Sequence, residues 1–164
     1  MRDIRDIRRF FLSSFLLLSL VYIFFTYVIG LIVVPNNDMH PRIDQGDLLV
    51  FYRLPEKIME HEVVVFRKNE TIYIGRVIAC PDDVCEVTDE EQVRINGNRI
   101  LESDIFFDTP IYEGFISYPL TLGKEEYFLL GDRREGAEDS RYFGPVQRDE
   151  IMGTVITLIR RNQL

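Results

Sequence analysis

The sequence predicts a mostly β protein, with an N-terminal transmembrane helix followed by an antiparallel β domain. Three observations lead there. Residues 10–34 form an unbroken apolar run without Asp, Glu, Lys or Arg. Beyond it, short segments rich in Val, Ile, Tyr and Phe follow one another from Leu48 to Ile159, with turn residues between them. No outer segment sustains a helical period.

Taken in order, residues 1–9 carry Arg2, Arg5, Arg8 and Arg9 against Asp3 and Asp6. The run from Phe10 to Val34 shows no charged face, unlike a core helix. At about 1.5 Å per residue it is long enough to cross a hydrocarbon core of roughly 30 Å. It exceeds the apolar region of a cleavable signal peptide, roughly 7–15 residues, and no A-x-A site follows it. The expectation is a retained single-pass anchor in the cell membrane. The preceding arginines favour a cytoplasmic N-terminus, which leaves residues 35–164 as the extracellular domain.

The net charge is -8 over 164 residues. The anchor is neutral and residues 1–9 are net positive by two, so the outer part carries about ten negative charges. That excludes a nucleic-acid partner, which needs a basic face. Composition is globular, 46% hydrophobic and 28% charged.

Strands are expected over Leu48–Leu54, Glu62–Arg67, Thr71–Ala79 and Tyr127–Leu130, with a final strand over Ile151–Ile159. Val93-Arg94-Ile95 and Asn98–Leu101 flank Asn96-Gly97, which supplies the positive φ angles of a type I′ hairpin turn. Cys80 and Cys85 are the two cysteines. They are too few for a zinc site, so no metal and no cofactor is expected. Free buried thiols and a disulfide both fit. The intervening Pro81-Asp82-Asp83 turn chemistry, in an oxidising compartment, favours the disulfide.

Four segments carry a resemblance: NNDMHPRIDQGDLLVF (36–51), YIGRVIACPDD (73–83), VRING (93–97) and GDRREGAEDSRYFGPV (131–146). In this order behind an N-terminal anchor, they resemble the boxes of type I signal peptidases, the S26 family. The resemblance implies a signal-peptidase-like antiparallel β domain. The family's enzymes pair a serine nucleophile with a lysine base. A serine hydroxyl is weak until a base takes its proton, and a lysine serves only when burial lowers its pKa. By resemblance, Asp38 stands at the serine position, Gly75 at the lysine position, and Ala137 at the position of a serine that hydrogen-bonds the lysine. Asn36 stands where a small hydroxyl residue helps stabilise the oxyanion, and its amide could still donate. An ionised Asp38 would repel the charge that develops there.

Other matching positions, among them Asp132, Arg134, Asp139, Ser140 and Arg141, read as turns and ion pairs that hold the fold. The resemblance further implies a substrate groove lined by Val34, Pro35, Asn36, Met39, Ile43, Leu49, Tyr73 and Ile74, for which core packing is the plain alternative. The function implied is that of a catalytically degenerate signal-peptidase-like protein of the Gram-positive pilus-assembly (SipA-like) type. Such a protein would bind extended peptide segments of exported proteins, with pilin subunits or a sortase as partners. Two alternatives stay open. One is an active signal peptidase with altered chemistry that processes exported preproteins, with Asp38 sharing a proton with a second carboxylate. The other is a purely structural domain. Asp38 with His40 is too small a ligand set for a metal. His61, ahead of a strand, reads as a surface residue.

Overall fold

The computed structural model describes residues 2–100, 105, 108–112 and 116–161. Helix α1 (Arg2–Ile23) runs through a π-helical turn (Phe24–Val28) straight into strand β1 (Ile29–Val33). There follow β2 (Leu48–Tyr52), β3 (Val63–Lys68), β4 (Thr71–Ala79), β5 (Val84–Val87), β6 (Val93–Ile95), β7 (Asn98–Arg99), β8 (Leu120–Thr121) and β9 (Glu126–Leu130). The one-turn helix α2 (Ser140–Phe143), β10 (Val146–Gln147) and β11 (Ile151–Ile159) complete the chain. All pairings are antiparallel, in a seven-stranded sheet ordered β1-β2-β11-β3-β4-β9-β10 and a four-stranded sheet ordered β7-β6-β5-β8. The mostly β, antiparallel fold class expected from sequence is the one observed.

The apolar run does not behave as a single element. The stretch long and apolar enough to cross a membrane is Asp6–Val28, and the anchor expected over residues 10–34 ends there. Residue type explains the switch. Leu, Phe and Ser predominate in the helical part, whereas β-branched residues are concentrated after it at Ile29, Ile32, Val33 and Val34, which stiffens χ1 and favours strand. Gly30 is needed where it sits, because a Cβ there would overlap the Phe51 ring on β2. The boundary between helix and sheet therefore falls at Val28, and β1 belongs to the β domain.

The hairpin turn holds as expected, with Asn96 at φ 52° and Gly97 at φ 80°. Its return strand is β7; Leu101 lies outside the described residues. Three apolar clusters form the core. Phe66, Val77 and Leu129 belong to one, and Ile78, Phe128 and Cys85 to a second, between the large and small sheets. The third gathers Val34, Met39, Ile43, Leu49, Phe51, Val65 and Ile74.

The cysteines correct an expectation, because both thiols are free. Cys85 is fully buried in the second cluster, whereas Cys80 packs against the first, so the side chains are committed to different cores. The intervening turn is closed without a bridge. The Asp83 carboxylate accepts from the Cys80 amide (2.8 Å) and from the Asn96 side-chain amide (2.8 Å). Burial, with Glu60 and Asp83, pushes the Cys80 thiol up to about 11, and burial first of all pushes Cys85 up to about 12. Both are therefore protonated and poorly nucleophilic at neutral pH. Denaturation without reductant, followed by alkylation, should add two labels by mass spectrometry. Native protein should react at least about tenfold more slowly. A mass two hydrogens lighter and no labelling would show the bridge.

Candidate functional site

The end of β9 assembles the three positions at which the family resemblance locates catalysis. Strands β4 and β9 pair through Arg76 and Leu130, and Gly131 follows directly. Gly131 must be glycine, because a Cβ there would sit 2.7 Å from the Asp38 carbonyl oxygen and 2.8 Å from the Ala137 Cβ. That close approach brings Asp38 and Ala137 together. Gly75 lies on the neighbouring strand. Its own Cβ would meet Phe66 at 3.2 Å, Leu129 at 3.3 Å and the Leu130 carbonyl at 3.6 Å. The backbone amide of Arg133 donates to the Asp38 carbonyl (2.9 Å) and ties the loop before β2 to the loop after β9.

The Asp38 side chain is half-buried. It accepts from the Asn36 side-chain amide at 2.7 Å and from the backbone N–H of Glu138. Asn36 thus holds Asp38, and its amide is committed rather than free to meet a developing oxyanion. Burial, then the charges of Asp139 and Glu138, hold the Asp38 carboxyl above its ordinary value, against the two hydrogen bonds that lower it. No hydrogen bond joins Asp38 to a second carboxylate among the described residues. Asp139 is fork-bonded to Arg141 (2.9 and 2.7 Å), and Glu138 accepts from the Tyr73 hydroxyl (3.1 Å).

The last box forms a buried polar network. Asp139 caps α2 through the Arg141 amide and also accepts from the Gly131 amide at 3.0 Å. Ser140 accepts from the Leu129 amide (2.9 Å). Arg134 donates to the Gly131 carbonyl (3.0 Å) and to Thr109 (2.8 Å). Asp132 receives Arg76 on both oxygens, at 2.7 and 2.5 Å.

The groove candidates divide. Val34, Met39, Ile43, Leu49 and Ile74 are packed together in the third cluster, with Met39 1% and Ile74 5% exposed, so here they act as core. Pro35 is exposed, while Asn36 and Tyr73 are half-buried. Tyr73 stacks on Phe66 (5.6 Å) and leans on Phe143 (5.3 Å). A second feature lies beside them. Strand β4 pairs with β3 from Thr71 to Arg76, but with β9 only from Arg76 onward. The far edge of Thr71–Gly75 therefore has no strand beside it among the described residues.

Sequence reasoning passed over Glu138, Thr109 and Tyr112. Glu138 was visible only as one acid in a charged loop. Tyr112 donates to the Ala137 carbonyl (3.1 Å) and lies under Arg141 (4.4 Å to the ring centre), a role no motif signals. Glu60, Cys80 and Asp83 bring potential ligand atoms within 4.8 Å of one another. Asp83 already accepts from the Cys80 and Asn96 amides, so its carboxylate is engaged in the turn.

The raised Asp38 carboxyl gives a testable sign. The stability it contributes is complete below the ordinary value of 3.8 and lost as pH rises through the folded value, so its ionised form weakens the fold at neutral pH. Asp38→Asn should stabilise the protein at pH 7 by up to about 1 kcal/mol after solvent screening, or roughly 2–4 °C in Tm. The difference should close on acidification below the ordinary carboxylate range. A lower Tm for the variant at pH 7 would show that the two hydrogen bonds to the carboxylate outweigh burial and repulsion.

Comparison with known proteins agrees with the geometry. The family model described as "Signal peptidase, peptidase S26" matches residues 7–159. A probable signal peptidase I-2 of Synechocystis sp. is 27% identical over 139 residues, covering 78% of this chain and 62% of that protein's length. An inactive signal peptidase IA of Staphylococcus aureus (strain COL) is 24% identical over 162 residues, covering 92% of this chain and 90% of that one. A crystal structure of a signal peptidase I from Enterococcus faecalis V583 aligns with a TM-score of 0.53 at 26% identity, covering 63% of this chain and all of that one. With the family model matching residues 7 to 159 of its 164, the chain belongs to the S26 signal peptidase family.

Proposed function

We propose that this protein is a membrane-anchored, non-catalytic signal-peptidase-like protein that holds extended peptide segments of exported proteins. The observation that carries the reading is the convergence of Asp38, Gly75 and Ala137 around Gly131 and Leu130, with neither a hydroxyl nor an amine among the three. A nucleophile–base pair needs both, and losing one member removes most of its contribution. A carboxylate at that point opposes an oxyanion rather than stabilising it. The name of the S. aureus relative, inactive signal peptidase IA, points the same way.

The binding half of the reading rests on the open edge of Thr71–Gly75, where an extended chain could add as a strand through main-chain hydrogen bonds. Anchoring is supported by Asp6–Val28, none of whose apolar window is buried. The outward face of β1, β2 and β11 continues it with exposed Leu31, Val33, Tyr52 and Ile159. A large apolar face next to an apolar helix suits a lipid interface. The arginines at the start of α1 favour a cytoplasmic N-terminus and an extracellular β domain. The resemblance to degenerate pilus-assembly proteins makes pilin subunits or a sortase the partners to test first.

Two experiments test these halves separately. Full-length protein in nanodiscs should not cleave a signal-peptide substrate above a no-enzyme control at any pH, with or without chelator, and Asp38→Ser alone should not change this. Cleavage by either would show another group acting as base. Hydrogen exchange with an extended Ala/Val octapeptide should slow amides of Thr71–Gly75 by about tenfold. Unchanged exchange there would place binding elsewhere. Ile74→Arg is unsuited to this question, since a guanidinium within the third cluster would unfold the domain.

A further inference from the structure

Four carboxylates gather where β4 meets the loop after β9, and among the described residues two of them are answered by cations of the chain. Asp132 receives both oxygens' worth of Arg76, and Asp139 is forked by Arg141. Asp38 and Glu138 instead receive hydrogen bonds from neutral donors. These are the Asn36 amide and the Glu138 N–H on Asp38, and the Tyr73 hydroxyl on Glu138. The two buried carboxylates, Asp132 and Asp139, are matched by arginine, whereas Asp38 is half-buried and Glu138 is exposed. Burial, then the charges of Asp139 and Glu138, raise the protonation range of the half-buried Asp38 against the hydrogen bonds that lower it.

The position of this pair matters. Glu138 reaches the hydroxyl of Tyr73, which lies within the unpaired edge of Thr71–Gly75. Asp38 abuts Gly131, directly after the Leu130 whose carbonyl faces Gly75. A chain added along this edge would present every second side chain to one face of the sheet. The surrounding domain, with about ten net negative charges from Pro35 onward, would also draw cationic segments toward it.

We infer that the segment held along Thr71–Gly75 carries a lysine or arginine whose side chain lies against Asp38 and Glu138. The inference rests on the strand-addition reading above and names the class of peptide that site selects. The ligand's cation takes the role that Arg76 and Arg141 play for the neighbouring acids. The aspartate at the former nucleophile position then becomes a specificity-determining residue.

The test uses the full chain in nanodiscs and fluorescent Ala/Val octapeptides with one lysine moved through all eight positions. A matched set has norleucine, which keeps the stem and loses the charge. At one position or at alternate positions, the lysine peptide should bind at least about tenfold tighter than its norleucine partner. In the Asp38→Asn, Glu138→Gln double variant that ratio, taken between the two peptides on the same variant, should fall below about twofold. Equal binding of lysine and norleucine peptides at every position would overturn the inference while leaving strand addition standing. No binding by any peptide would overturn both. A lysine preference that survives the double variant would assign it to the overall negative field and overturn the assignment to Asp38 and Glu138.

Discussion

The buried fork between Asp139 and Arg141 is the contact on which the rest of the site depends. Asp139 is 3% exposed and Arg141 1%. The same carboxylate caps α2 and accepts the Gly131 amide, so one side chain fixes both the turn that starts the loop and the helix that ends it. Arg141 completes its fork on the Pro110 carbonyl and stacks over Tyr112. Removing either partner would leave an uncompensated buried charge, a cost of about 3–5 kcal/mol. Between these fixed ends, Ala137 and Glu138 have nowhere to stand except against Asp38.

This arrangement separates the scaffold from the three positions at which the family resemblance locates catalysis. The scaffold here is a set of backbone amides, forked ion pairs, the Ser140 hydroxyl and one tight glycine, and its hydrogen bonds do not use the side chain at position 38, 75 or 137. Of the three positions only Asp38 is ionisable; Gly75 and Ala137 are small and buried. Asp38 is held by Asn36 and by the Glu138 amide, so the carboxylate is oriented rather than loose.

How much of this was legible in the sequence depended on whether a signal was local. Strand β4 was readable to its ends, because Thr71–Ala79 is a run of strand formers bounded by turn residues, and Asn96-Gly97 dictated its own turn. Strands β5, β8 and β10 are two to four residues long and exist only because a neighbour pairs with them. The switch from helix to strand at Ile29 was hidden, since both halves of the run are equally apolar and hydropathy does not register β-branching. The cysteine bridge failed for a related reason: closeness in sequence does not fix which core each thiol enters.

The sequence by itself determined the family's boxes, the apolar N-terminal helix and the antiparallel β class. Each of these is a property of residue identity or of short-range backbone preference. Tertiary structure alone decided that Val34, Met39, Ile43, Leu49 and Ile74 pack as core, that Asn36 binds Asp38, and that Glu138 joins Tyr73 beside an unpaired strand edge. These outcomes depend on which distant segments share a volume and on which charges find a partner there. Local sequence carries neither kind of information.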